Sequence, residues 1–213
     1  MKILSISDRV EPFLYDRFDA EKKPDVDLVL SCGDLPPEYL TFLTTALNVP
    51  VFYIRGNHDI RYDAKTPEGC NNIHGKLVQF NGLKILGLEG SRWYNGGPSQ
   101  YTEQQMKKII RGLKTGIWWQ GGVDIIISHA PLRHVHDAED RCHRGFKCFH
   151  QLISRYAPEY FIHGHIHALF HKPSERITAI NKTKVVNSYG HFLFEIDIQQ
   201  KTIEKRISKE RRS

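Results

Sequence analysis

Four cysteines in 213 residues, Cys32, Cys70, Cys142 and Cys148, stand far apart with no CxxC spacing among them. That scarcity excludes a disulfide framework and a thiolate zinc site as the basis of the fold. No apolar run approaches the roughly 20 residues of a membrane-spanning helix. The opening MKILSISDRVEPF offers only a strand-length apolar stretch, broken by Ser5 and Ser7, with neither a secretory hydrophobic region nor a cleavage pattern. A cytoplasmic protein is therefore expected. There is no internal repeat, no low-complexity linker and no break in composition, which points to one domain over 1–213.

The net charge of +6 is unevenly placed. The last thirteen residues, KTIEKRISKERRS, hold six basic and two acidic side chains, and so carry four of those six positive charges. A solvated basic tail over 201–213 explains the high isoelectric point, with nucleic acid left open as a partner. The oligomeric state is not fixed by anything in the sequence. At 40% hydrophobic and 25% charged, the chain has the composition of a soluble globular protein large enough for a real core.

What the sequence does contain is a recurring local pattern. KILSIS runs into Asp8, VDLVLSCG into Asp34, VPVFYIRG into Asn57 and His58, VDIIIS into His129, and EYFIHG into His165. Each is a short apolar, largely β-branched run followed at once by a residue able to bind metal or move a proton. Such runs suit strands buried on both faces. Between them lie helical stretches: PPEYLTFLTTAL with proline at its start, TEQQMKKIIRGL with Thr102 as N-cap, and FKCFHQLISRYA after Gly145. Strands alternating with helices predict a parallel sheet, and ligands of such sheets gather beyond the strands' carboxyl ends. KLVQFNGLKILGL reads as a hairpin about Asn81-Gly82. From Arg176 onward the chain reads as a meander with turns near Asn181, Tyr189-Gly190 and Gln199-Gln200. The expected fold is α/β: two packed β-sheets with a parallel or mixed core, flanked by helices.

FIHGHIHALF, residues 161–170, places His163, His165 and His167 at alternate positions around Gly164. Taken with Asp8, Gly33-Asp34, the GNHD of Gly56 to Asp59, and His129 in SHAP, the GHIH of Gly164 to His167 completes a set of five ordered motifs. That set resembles the calcineurin-like metallophosphoesterases over residues 1–167, and VVNSYGH resembles the closing strand and turn of the family. The resemblance implies a metallophosphoesterase-like sandwich and a metal-dependent phosphoesterase, in which a metal-bridging hydroxide attacks a phosphodiester or phosphomonoester, the diester being slightly favoured. It implies two divalent ions sharing Asp34, one held also by Asp8 and His167, the other by Asn57, His129 and His165. Nitrogen and oxygen donors without thiolate suit manganese, iron, zinc or nickel better than calcium without choosing among them, and manganese is the expected ion. His58 is then the catalytic residue that stabilises the transition state and protonates the leaving oxygen. Asp59 either orients His58 or holds its loop, the loop role being preferred, and His163 is read as structural.

The first motif departs from the family. Where Asp-x-His is usual, the chain has Asp8-Arg9-Val10, and valine has no donor. Water in the vacated position, substitution by Glu11, or a weak and often empty first site are the alternatives, with water preferred. Arg9, Asn57 and His143 are candidate substrate contacts, His143 lying in the long segment 130–149 that reads as a loop over the site. A small-molecule phosphate ester is the favoured substrate. Pro37 stands where the related protein phosphatases carry aspartate, which weakens that assignment. Val10 alone favours the rival reading, a scaffold or binding protein of this fold with weak or lost catalysis.

Overall fold

A computed structural model describes residues 1–198. The turn expected at Gln199-Gln200 and the basic tail lie outside the described residues. One sheet carries four parallel strands, β1 (Lys2–Ser7), β2 (Leu28–Ser31), β3 (Val51–Tyr53) and β4 (Cys70–Asn72), with β13 (Gly190–Glu195) antiparallel beside β1. The other runs β11 (Ile177–Ile180), β12 (Thr183–Asn187), β10 (Tyr160–His163), β9 (Ile125–Ser128), β6 (Leu83–Leu88) and β5 (Leu77–Phe80). Its four central strands are parallel and its two edges antiparallel. A two-stranded ribbon, β7 (Ser91–Arg92) with β8 (Gln100–Tyr101), stands apart.

The expected pair of sheets is present, but the five apolar runs do not share one sheet. Three become β1, β2 and β3, and two become β9 and β10. The C-terminal meander is likewise divided. Its first turn, at Asn181, joins β11 to β12 in one sheet, whereas the turn at Tyr189-Gly190 sends β13 into the other. Here the side chains override the local hairpin preference: Val185 and Val186 of β12 are fully buried, and Phe194 of β13 enters the layer between the sheets.

Strand periodicity of two explains the layering. Leu28 and Leu30 of β2, Ile125 and Ile127 of β9, and Tyr160 and Ile162 of β10 meet between the sheets. Their neighbours Val29, Ile126 and Phe161 face outward, Val29 toward α1 (Pro37–Leu47) and the others toward α2 (Glu103–Trp119) and α3 (Cys148–Tyr156). Full burial of such aliphatic side chains contributes about 1.5–3 kcal/mol each. Helix ends follow their caps. Pro37 opens α1 and Asn48 closes it in the left-handed region at φ 55°. Thr102 and Gln105 form a reciprocal capping box at the start of α2, which continues to Trp119, six residues past the expected stretch. Asn81 and Gly82, at φ 46° and 84°, make the two-residue turn of the β5–β6 hairpin. Among the described residues, no helix is long and apolar enough to cross a membrane.

Candidate metal centre

Strand ends position the site. Asp8 follows β1, Asp34 follows β2 and Asn57-His58 follow β3, while His129 follows β9 and His165 follows β10. Three of these, Asp8, Asp34 and His165, take positive φ of 62°, 56° and 68°. A left-handed backbone in a non-glycine residue costs about 1–3 kcal/mol, and here it turns each side chain off its strand into one shared cavity. That cavity, of about 240 Å³, is lined by Asp8, Asp34, Asn57, His58, His165 and His167, together with Tyr94, Cys142 and His143. His129 is fully buried behind it.

Two glycines let the donors approach. A Cβ on Gly56 would collide with the Asp34 carboxylate and, at 2.7 Å, with His129 Cε1. On Gly164 a Cβ would stand 2.6 Å from Asp8 Oδ2. Asp8 Oδ2 accepts the backbone N–H of His165 at 2.9 Å, so Gly164 brings a donor from each sheet together.

The hydrogen-bond pattern fixes which atoms face the centre. His129 Nδ1 lies 2.8 Å from the Cys32 carbonyl, and His165 Nε2 lies 2.7 Å from the Cys142 carbonyl. A carbonyl only accepts, so each of these nitrogens carries the proton. In the neutral rings the other nitrogens are bare, and they face each other at 3.1 Å. Asn57 Oδ1 is 3.1 Å and Asp34 Oδ2 is 3.3 Å from His129 Nε2. With both rings neutral, four electron-pair donors converge with no hydrogen between them, which suits a divalent cation of intermediate softness. Asp34, His129 and His165 alone place ligand atoms within 4.8 Å of one another. Asp8 Oδ1 is buried without a hydrogen bond, and His167 Nε2 lies 3.5 Å from it. Such an orphaned carboxylate oxygen fits a second cation. The residues present therefore fit two divalent ions.

Charge balance agrees. Burial opposes ionisation of Asp34, yet the charge and hydrogen bond of His129, with the His58 contacts, bring its pKa down to about 2. Burial also disfavours the His129 imidazolium, but the Asp34 and Asp8 carboxylates and the Cys32 carbonyl raise it to about 10. His165 is held down to about 4 by burial and by the charge of His129.

Asp59 holds the loop. Its carboxylate accepts the backbone N–H groups of Asp34 (2.8 Å), Leu35 (3.1 Å) and Gly56 (2.7 Å). Burial and the neighbouring Asp34 charge raise its pKa to about 6. His163 is fully buried, with Nδ1 on the Gly164 carbonyl at 2.9 Å and Nε2 on His136 at 2.9 Å. It does not line the cavity, so of the three imidazoles in the decapeptide 161–170 only those of His165 and His167 do.

Glu11 is turned elsewhere, its Oε1 lying 3.4 Å from His191 Nδ1 and 3.9 Å from Arg9 Nε. It does not line the cavity, nor does Arg9. Val10 packs half-buried against the α1 side of its sheet. Of the alternatives for the missing histidine, substitution by Glu11 has no geometric support. His143 does line the cavity, with its Nδ1 3.0 Å from Asp140. Asp140, Cys142 and His143 also lie within 4.8 Å of one another at the cavity rim, where they hydrogen-bond mutually. Two participants were not evident in the sequence. Tyr94 Oη takes a hydrogen bond from Asn57 Nδ2 at 3.2 Å, which aims Asn57 Oδ1 at His129. The Cys142 carbonyl sets the His165 tautomer. Tyr94 sits in an irregular Gly-rich stretch at a strand end, the one cue that could have found it.

Sandwich and donor set together define a class, the α/β/β/α proteins that hold divalent cations beyond their strand ends. The sequence profile of the calcineurin-like phosphoesterases matches residues 1–169, and the chain belongs to that family. Its activity is accordingly that of a metal-dependent phosphoesterase. Among solved structures, the phosphopantetheinyl hydrolase (PptH) from Mycobacterium tuberculosis is similar at 15% identity and a TM-score of 0.62, with 88% of each chain covered. TT1561 of Thermus thermophilus is similar at 16% identity and a TM-score of 0.58, with 89% of each chain covered. GAP50, the anchor in the inner membrane complex of Plasmodium, is similar at 11% identity and a TM-score of 0.53, covering 88% of this chain and 70% of that one. At such identities the likeness is one of fold. No curated protein matches the sequence.

Proposed function

We propose that this protein hydrolyses a small-molecule phosphodiester in preference to a monoester, with manganese as the preferred ion. The convergence of Asp34 Oδ2, Asn57 Oδ1 and the bare nitrogens of His129 and His165 beside one small cavity carries the reading. When bound, two divalent ions, one with Asp8, Asp34 and His167 and one with Asp34, Asn57, His129 and His165, would acidify water and neutralise phosphate charge. The chain's own residues do the rest. Asp34 can face both ions because a carboxylate has two oxygens, and its Oδ1 also accepts the His58 N–H at 2.8 Å. That bond clamps the His58 backbone while its ring, which has no hydrogen-bond partner among the described residues, is free to give a proton to the leaving oxygen. On this reading Asn57 and His143, which both line the cavity, contact the other phosphate oxygens.

Preference for a diester rests on the lining. Among the described residues, no lysine or arginine lines the cavity. A monoester dianion brings one more negative charge than a diester and would call for such a cation. The test compares bis(p-nitrophenyl) phosphate with p-nitrophenyl phosphate under manganese, iron, zinc and nickel. Faster turnover of the diester, abolished in Asp34→Asn, supports the proposal. No turnover with any of the four metals would instead favour a scaffold that has lost catalysis, the reading to which Val10 points.

A further inference from the structure

Away from the tail the chain is almost neutral, but its charges are segregated. Helix α2 carries Lys107, Lys108, Arg111 and Lys114 against one acidic residue, Glu103. That carboxylate is already engaged, accepting the backbone N–H groups of Lys147 and Cys148 at the start of α3. α3 adds Arg155 and no acid. None of Lys107, Arg111, Lys114 and Arg155 forms an ion pair among the described residues.

These cations line a groove. Lys107, Arg111 and Lys114 of α2 face Arg155 and Tyr156 of α3 across a concavity of about 600 Å³. A second concavity of about 710 Å³ shares Lys114, Arg155 and Tyr156 with it and continues to Trp118. Positions 107, 111, 114 and 118 fall on one helix face, spread over about 16 Å at 1.5 Å per residue. Met106, Ile110 and Ile117 occupy the buried face, so the row of cations is not needed for packing. Trp118 lines the second concavity while 77% exposed, and its neighbour Trp119 is 85% exposed. Two adjacent tryptophans left in water, Trp118 beside cations that form no ion pair among the described residues, mark a candidate contact surface.

We propose that the α2–α3 groove binds single-stranded nucleic acid, the cations tracking successive phosphates and Trp118 stacking on a base. A row of cations ending in an exposed aromatic is the chemistry that single strands require. A membrane surface fits less well, because Lys107, Arg111, Lys114 and Arg155 lie inside a concavity that a flat bilayer does not enter. An acidic peptide supplies the charge without the planar bases that the tryptophan would hold. The inference does not depend on the hydrolase reading, since none of these residues lines the metal cavity.

Fluorescence anisotropy of a labelled oligothymidylate, titrated with the full chain over a range of salt, tests it. Four phosphate contacts predict a slope of log K on log salt of about −3, at roughly −0.7 per contact. The triple variant Lys107→Ala/Arg111→Ala/Lys114→Ala should bind at least about tenfold more weakly at low salt and lose about two units of that slope. Trp118→Ala should weaken binding by about fivefold or more, because stacking on an aromatic contributes about 1–3 kcal/mol per base. Both variants should keep wild-type turnover of bis(p-nitrophenyl) phosphate, or wild-type thermal stability if the protein proves inactive. Unchanged oligonucleotide binding in the triple variant would place the binding elsewhere, in the basic tail for instance, and overturn the proposal. So would polyglutamate competing as well as the oligonucleotide, or phosphatidylserine vesicles being bound where the oligonucleotide is not.

Discussion

Gly164→Ala makes a severe test of the metal-centre geometry with a single methyl group. The new Cβ would lie 2.6 Å from Asp8 Oδ2 and 2.8 Å from both Cβ and Oγ of Ser7. Ser7 is fully buried at the end of β1, so the strand cannot simply recede. Overpacking of this kind costs about 1–3 kcal/mol. Displacing Asp8 also weakens the 2.9 Å bond to His165 N–H, and a hydrogen bond to a charged acceptor contributes about 1.5–3 kcal/mol. The two effects overlap, so a combined loss of about 2–4 kcal/mol is expected. For a chain of this size each kcal/mol moves the melting temperature by about 2–4 °C, which gives a fall of about 5–15 °C. The assay is differential scanning fluorimetry in chelator and again in manganese. At a manganese concentration about 100 times its Kd, the wild type should gain about 2.7 kcal/mol by linkage, and the variant distinctly less. A fall of under about 2 °C in chelator together with the full manganese increment would refute the proposed approach of Asp8 to the strand-end turn.

Other perturbations separate the roles of single residues. His58→Ala should lower kcat by about 10²- to 10⁴-fold while leaving the manganese increment in melting temperature intact, because it removes a proton donor and no metal ligand. Val10→His should bring the two manganese affinities closer together in a calorimetric titration, whereas the wild type should show one tight and one weak site; two equal tight sites in the wild type would count against the incomplete first motif. His163 predicts a pH effect on stability. Burial, with the charge of His136 next, holds its folded pKa near 3 against 6.5 for the free side chain. Between those values the unfolded chain binds a proton that the folded chain does not, so stability falls as pH drops from about 6.5 toward 3, by up to about 1.4 kcal/mol per unit. In chemical denaturation, His163→Gln should flatten that dependence by close to one proton.

Much of this was legible because buried strands and metal ligands leave local marks. Each of the five apolar runs became a strand, and the polar residue after each one reached the site, since strand direction alone fixes where a parallel strand delivers its last side chain. Thr102 and the Asn81-Gly82 turn were legible for the same reason: a cap or a tight turn is decided within three or four residues. The assignment of strands to sheets was not. β12 and β13 are separated by only two residues, and nothing local says that Val185 belongs over α2 and α3 while Phe194 belongs between the layers. Tyr94 and the Cys142 carbonyl were also hidden, because one acts through an irregular loop and the other through a backbone atom that any residue would supply. The basic groove was hidden too, because near-zero net charge says nothing about how charges are sorted between faces.

Asp8, Asp34 and Asn57 extend from one half of the sandwich, and His129 and His165 from the other. A cation held by both groups would act as a rivet through the seam, and its retention would depend on the two halves keeping register. A cavity opened deep between the sheets, at Ile127 or Leu30, would thus loosen metal from a distance. In the same way, stripping the metal would let the halves shear first at the rim where the ligands meet.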